Sequence, residues 1–248
     1  MDTLIGYSPL LLQGALVTVL LALSSVALAI ALGGLGAWAK IAGAWPARTA
    51  AGLYTTIVRG VPDLVLMLLI YFGGQRLVNQ IAKGLGGEGV DVSPFLAGTV
   101  TIGFIFGAYL AETFRGAYLA IPRGQVEAAR SLGLGKFSAL WTVTLPQLVR
   151  HALPGFGNVW LVLVKSTAIV SVIGLEDVVG LADKAGKSTR EPFLFFVAVI
   201  FVFLAITAVS GALFKWLERH YSPQDLIGAE EDVDGRKHQG AGALATAR

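Results

Sequence analysis

The polar positions of this chain fall in clusters, and between the clusters lie five runs of apolar residues. A helix needs roughly 20 apolar residues at 1.5 Å each to cross the hydrocarbon core of a bilayer, and each run is long enough for one. The first predicted span covers about Leu10 to Trp38, and the second about Ala50 to Phe72, interrupted by Arg59, Gly60, Pro62 and Asp63. The third begins at Ser93 and Pro94, an N-cap residue followed by proline at the first helical position, and ends near Phe114. A hydrophilic stretch over about 119–150 separates it from the fourth span, about Leu153 to Val172, and the fifth, Pro192 to Leu217. A single transmembrane domain is therefore expected over 1–222. The remainder, 223–248, is rich in Gly, Ala and charge and is expected to be a disordered tail.

Composition sharpens this into a class. Apolar residues make up 55% of the chain and charged ones only 14%, and the mean hydropathy is +0.70, so the reading is an all-α integral membrane protein rather than a soluble globular domain. The chain has no cysteine, which removes disulfides, thiolate metal sites and cysteine nucleophiles. No basic residue precedes the first span, unlike the n-region of a cleaved signal peptide. The net charge of +3 says little by itself; its distribution says more. With the N-terminus outside, the inner segments hold Lys40, Arg48, Arg115, Arg123, Arg130, Lys136, Arg150, Lys215 and Arg219. The outer ones hold Arg76, Lys83, Lys184, Lys187 and Arg190. That bias, with no positive charge over Met1 to Tyr7 to hold it inside, places the N-terminus in the periplasm and the 119–150 stretch in the cytoplasm, and an odd number of spans puts the C-terminal tail on the cytoplasmic side as well.

The hydrophilic stretch contains Glu127, Ala128 and Ala129, then Gly133, then Leu145 and Pro146, within GQVEAARSLGLGKFSALWTVTLPQLVRHALPG. This spacing resembles the coupling loop of permease subunits in bacterial ATP-binding-cassette importers, in which a short helix docks into a separate ATPase subunit. Two phosphate-loop lookalikes fall away. Gly186, Lys187, Ser188 and Thr189 imitate the end of a Walker A motif, but position 181 is Leu181 where the loop requires glycine, and Gly135 and Lys136 are followed by Phe137, which has no hydroxyl. No nucleotide site is expected in this chain, nor a catalytic triad or metal cluster, since His151, His220 and His238 are scattered.

Further runs carry the likeness beyond that loop: Tyr54, Thr55 and Thr56 before IVRGVPDLVLMLLIYFG, GAYLAETFRGAYLAIPRGQ from Gly107, LVKSTAIVSVIGLEDVV from Leu163, and AGKSTREPF from Ala185. From about Leu11 to Ser222 the chain resembles the polar-amino-acid permeases, and among them the first permease subunit of histidine/lysine/arginine/ornithine importers, with opine importers nearby. The resemblance implies a type I importer permease of five spans in the bacterial inner membrane. It also implies a homologous second permease, two copies of an ATPase subunit that bind the ATP and magnesium, and a periplasmic solute-binding protein. No cofactor of this chain's own and no nucleic-acid partner are implied.

Ionisable residues inside spans are costly and usually face a cavity or a partner. Asp63 follows Gly60 and Pro62, which weaken helix hydrogen bonding, and discontinuous helices build many transporter sites; it departs from the apolar residue common after RG-x-P in the wider family, in the direction a cationic solute would need. The alternative is an Arg59–Asp63 pair at i, i+4 on one helix face. Glu176, beside Asp177, is either a solute-attracting acid or a solvated, helix-capping loop end. Lys165 would meet a carboxylate or neutralise a nearby acid. Glu112 and Arg115 read as an i, i+3 ion pair, and Trp38, Trp45, Trp141, Trp160 and Trp216 as membrane-interface residues. Gly103, Gly107 and Ala111 share one helix face, for a subunit interface or for packing within the chain. A self-sufficient ion-coupled carrier or channel is the competing function. It has no use for an ATPase-docking loop, and the chain lacks a detectable inverted repeat of the kind such carriers use.

Overall fold

The computed structural model describes residues 2–221; the expected tail at 223–248 lies outside them. Five of its helical stretches are long and apolar enough to cross a membrane. In chain order, the helices are α1 (Asp2–Ala42), α2 (Trp45–Gly60), α3 (Asp63–Gly84), α4 (Pro94–Leu119), α5 (Arg123–Ser131), α6 (Lys136–Ala139), α7 (Leu145–Ser166), α8 (Val178–Thr189) and α9 (Pro192–Tyr221). A π-helical segment, Leu140–Thr144, joins α6 to α7, and a 3-10 segment, Thr167–Ile173, follows α7.

At 41 residues, α1 is about 60 Å long, twice the hydrocarbon thickness, and starts well before the expected Leu10. Pro9 does not break it, although it has no N–H for the carbonyl of Ile5. The Ser8 hydroxyl donates to that carbonyl instead, at 2.8 Å. The main body of the core is the α1–α4 pair: Leu21, Ala22 and Ala29 of α1 pack with Ile102, Ile105, Phe106 and Leu110 of α4. Small residues allow the approach. A Cβ on Gly103 would stand 2.7 Å from the Leu28 side chain, and one on Gly107 would stand 2.8 Å from both Leu32 and the Tyr54 hydroxyl. The Gly103–Gly107–Ala111 stripe therefore packs within this chain rather than being left for a partner.

The expected second span, 50–72, is two helices. Proline forces the residue before it out of the helical region and cannot donate a backbone hydrogen bond itself. Val61 accordingly has φ −108° and ψ 138°, and α3 restarts at Asp63. The apolar crossing then belongs to α3 and continues to Gly84. The third span starts as its sequence suggests, with the Ser93 hydroxyl accepting from the Leu96 N–H at 3.2 Å, and runs on to Leu119.

Most of the hydrophilic stretch at 119–150 is helical rather than loop, and the expected fourth span, 153–172, is the later part of a 38-residue helical run, Lys136–Ile173. Its widened turn has a local cause. Pro146 lacks the N–H that would reach Thr142, and the ladder shifts: the Leu145 N–H bonds to the Leu140 carbonyl, five residues back. The short helix α8 was not anticipated from sequence. Asp177 caps it, accepting from the Gly180 N–H at 2.9 Å, and its first residue rests on α1, where the Val178 N–H donates to Thr18 Oγ1 at 3.2 Å. The far side of α8 packs on α9 through Ala182, Ala185 and Phe195.

Candidate functional site

The break at Val61–Pro62 leaves two helix ends facing one another, and each carries the charge its dipole favours: Arg59 in the last turn of α2 and Asp63 at the start of α3. The expected Arg59–Asp63 pair is absent, because the helix that would have put them one turn apart is interrupted between them. Arg59 instead lies over the Tyr109 ring of α4, 5.4 Å from its centroid, which suits a guanidinium. It lines an open cavity of about 470 Å3 with Thr55, Thr56, Gly60, Tyr109 and Glu112. The half-buried Asp63 carboxylate turns towards Ser166, at the end of α7.

Glu112 forms the floor of that cavity. Besides Arg115 at 3.6 Å, it binds Lys40 of α1, and it accepts from Thr55 Oγ1 at 3.2 Å. Sequence reading found only the Arg115 contact. Lys40 stands 72 positions away, a separation no helical periodicity reports, and Tyr109 and Thr55 carried no distinguishing signal except membership of runs rich in family likeness. Lys165, on an exposed face of α7, has no carboxylate within ion-pair distance among the described residues.

Glu176 sits apart from this cluster. It is 64% exposed and bonded to Lys184 of α8, the geometry of a solvated loop end. Its neighbour Asp177 is fully buried, and burial pushes its carboxyl up to about 6 against the pull of the backbone N–H groups it caps. The Walker-like Gly186–Thr189 run is the last turn of α8. A Cβ on Gly186 would lie 2.7 Å from Pro192, and Lys187 pairs with Asp183, so these residues serve a helix end.

At the other end of the bundle, Glu127, Ala128 and Ala129 form the middle of α5, with Glu127 and Ala128 exposed and Ala129 buried. α5 ends in a Schellman closure: the Gly133 N–H reaches the Arg130 carbonyl at 2.9 Å and the Leu134 N–H reaches that of Ala129 at 3.1 Å. Gly133 takes φ +84°, a conformation that disfavours any side chain. Leu145 and Pro146 lie where the π segment hands over to α7, and α5 packs against α6 and that segment. The motif thus unites an exposed short helix, its stop signal and a flexible-register joint into a membrane helix.

Residues 25–223 match the family described as binding-protein-dependent transport system inner membrane component. Among curated relatives, the chain is 48% identical to the histidine/lysine/arginine/ornithine transport system permease protein HisQ of Escherichia coli (strain K12), covering 88% of this chain and 96% of that one. It is 41% identical to the nopaline transport system permease protein NocQ of Agrobacterium fabrum, over 86% and 93%. Among solved structures, it is similar to a chain of an amino acid ABC transporter crystallised with histidines, at TM-score 0.72 and 32% identity, over 88% and 96%. The inward-facing MetNI methionine ABC transporter shares the fold, at TM-score 0.66 and 16% identity, over 88% of this chain and 99% of that one.

Proposed function

This chain belongs to the family of binding-protein-dependent transport system inner membrane components, and we propose from that premise that it supplies half of the path by which a basic amino acid or a related opine enters the bacterial cytoplasm. The observation that carries the proposal is the broken helix, which sets a cation and an anion on consecutive helix ends, Arg59 lining an open polar cavity and Asp63 across the break from it towards Ser166. An amino acid with a cationic side chain needs both signs. Arg59 meets the α-carboxylate, as a guanidinium does with forked geometry, and Asp63 meets the ammonium or guanidinium of the side chain. Tyr109 keeps Arg59 extended towards the cavity, and Glu112, already shared by Lys40 and Thr55, holds α1, α2 and α4 together below it. Lys165 offers a second carboxylate partner from α7, and Glu176, half-neutralised by Lys184, attracts cations weakly from the outer end.

The open side of the cavity is closed by a homologous second permease. Two ATPase subunits bind ATP and magnesium, and a periplasmic solute-binding protein delivers the solute. The N-terminus is periplasmic, and α5, with Glu127, Ala128, Ala129 and Gly133, docks on the ATPase in the cytoplasm, transmitting its motion through Leu145 and Pro146. Closure of the ATPase dimer opens the cavity to the periplasm, and hydrolysis turns it inward. This chain makes and breaks no covalent bond.

The test is uptake by the assembled importer in proteoliposomes. Asp63→Asn lowers arginine or lysine uptake at least about tenfold, the equivalent of 1.4 kcal/mol, with basal ATP hydrolysis intact, and Glu176→Gln has a milder effect. Because Arg59 and Asp63 are not paired, Arg59→Gln combined with Asp63→Asn stays defective. Recovery of uptake in the double variant would show that the acid serves the helix and would remove it from the solute path.

A further inference from the structure

A second cavity, of about 560 Å3, lies at the α5 end of the bundle, where the ends of α1 and α4 and the start of α2 come down onto α5. Five cations line it: Lys40, Arg48, Arg115, Arg123 and Arg130. Lys40 and Arg115 share one carboxylate, Glu112, and Glu127 in the wall is in no ion pair among the described residues; counting both acids still leaves a surplus of three positive charges. Arg48, Arg123 and Arg130 have no carboxylate within ion-pair distance among the described residues. Like charges gathered around one cavity repel, and an anion placed among them relieves that repulsion. Ile41, Leu119, Ile121 and Val126 give the cavity an apolar wall, beside Tyr118 and Thr144. Trp38 and Trp45, two residues before Lys40 on α1 and three before Arg48 on α2, are both largely exposed, and exposed tryptophans mark the headgroup depth of a bilayer.

We propose that this cavity binds the phosphate of an anionic phospholipid headgroup from the leaflet that surrounds it. A phosphate diester supplies the missing negative charge and accepts from Arg48 and Arg115 together, while the apolar wall covers the start of the acyl chains. Free phosphate shares the charge but has nothing to set against that wall. The membrane also presents its headgroups at high local concentration to basic pockets of this kind. The bound lipid touches α5 through Arg123 and Arg130 and the membrane helices through Lys40 and Arg115, so it joins the motif-bearing helix to the bundle and makes ATP-driven coupling depend on the lipid.

The importer complex, extracted in mild detergent, is assayed by native mass spectrometry for retained phosphatidylglycerol. Arg48→Gln with Arg115→Gln, neither on α5, lowers the retained lipid at least about tenfold while the complex still assembles. Arg48→Lys with Arg115→Lys retains intermediate amounts, because the charge remains and the fork is lost. In nanodiscs, replacing phosphatidylcholine by phosphatidylglycerol changes solute-stimulated ATP hydrolysis of the wild type and not of the double Gln variant. Equal lipid retention in wild type and Gln variant overturns the proposal. So does saturable binding of inorganic phosphate that displaces no lipid, which assigns the site to the free anion. A crosslinker at a cysteine placed at position 48 that captures the ATPase rather than lipid assigns it to the protein interface. Lipid retained only after removal of 223–248, which carries Glu230, Glu231, Asp232 and Asp234, assigns it to the chain's own tail.

Discussion

The carboxyl of Asp177 is set between two demands: the cap of α8 asks for an acceptor, and full burial penalises its charge, leaving Oδ2 without a hydrogen-bond partner. Burial wins, and the carboxyl moves from an ordinary 3.8 to about 6. The folded protein therefore holds this proton more tightly than the unfolded chain does. The stabilisation is complete below pH 3.8 and is lost as pH rises through about 6, a change of about 3 kcal/mol at 1.36 kcal/mol per unit. Thermal unfolding of the purified chain followed across that window is expected to show a falling midpoint as pH rises, and Asp177→Asn, which retains the capping oxygen, is expected to flatten the fall. An unchanged slope in the variant would mean that another group titrates there. Glu176, one residue earlier and solvated beside Lys184, shows how little sequence proximity says about such a site. From sequence the two acids looked interchangeable; Glu176 emerges into solvent beside Lys184 and Asp177 into the buried start of α8, and that difference in burial sets Asp177 apart.

The elements were legible where apolar length alone fixes them, as in α1, α4 and α9, and less so where a proline acts. Pro62 divides one expected span into two helices, Pro146 widens a turn without ending the helix, and Pro9 is tolerated because Ser8 takes over the orphaned carbonyl. One residue type thus has three outcomes, decided by the neighbours available to satisfy the freed backbone groups. The stop of α5 was readable, since a glycine after a polar helix is the usual closing residue. Its φ of +84° makes a test. A Cβ on Gly133 meets nothing within 4 Å, so Gly133→Val is strained through its backbone alone, by about 1–2 kcal/mol. The variant is expected to insert and assemble, yet to lose solute-stimulated ATP hydrolysis, because the end of α5 is re-aimed. Normal stimulated hydrolysis would argue against α5 as the docking helix.

For the whole molecule, the charged cavities, one beside the helix break and one at the α5 end, are joined through Glu112, whose carboxylate touches residues of both. That arrangement depends on α1, α2 and α4 meeting and is invisible to a scan along the chain, which is why the pattern located Arg59 and Asp63 but not their surroundings. Orientation has its own measurement, made simple by the absence of cysteine. Single cysteines at Gly87 and Lys187 are expected to react with a membrane-impermeant thiol reagent in intact cells, and one at Lys136 to be protected; the reverse pattern would invert the topology. The widened turn at Leu140–Thr144 also bears on the lineage of the fold. An α-helix turns about 100° per residue, so a residue gained or lost within a regular stretch would rotate α5 and α6 away from their docking side. A turn that already holds one residue more than its neighbours absorbs the loss of a residue as a return to regular winding. Single-residue length variation between otherwise similar chains should accordingly collect at this joint and be rare on either side of it.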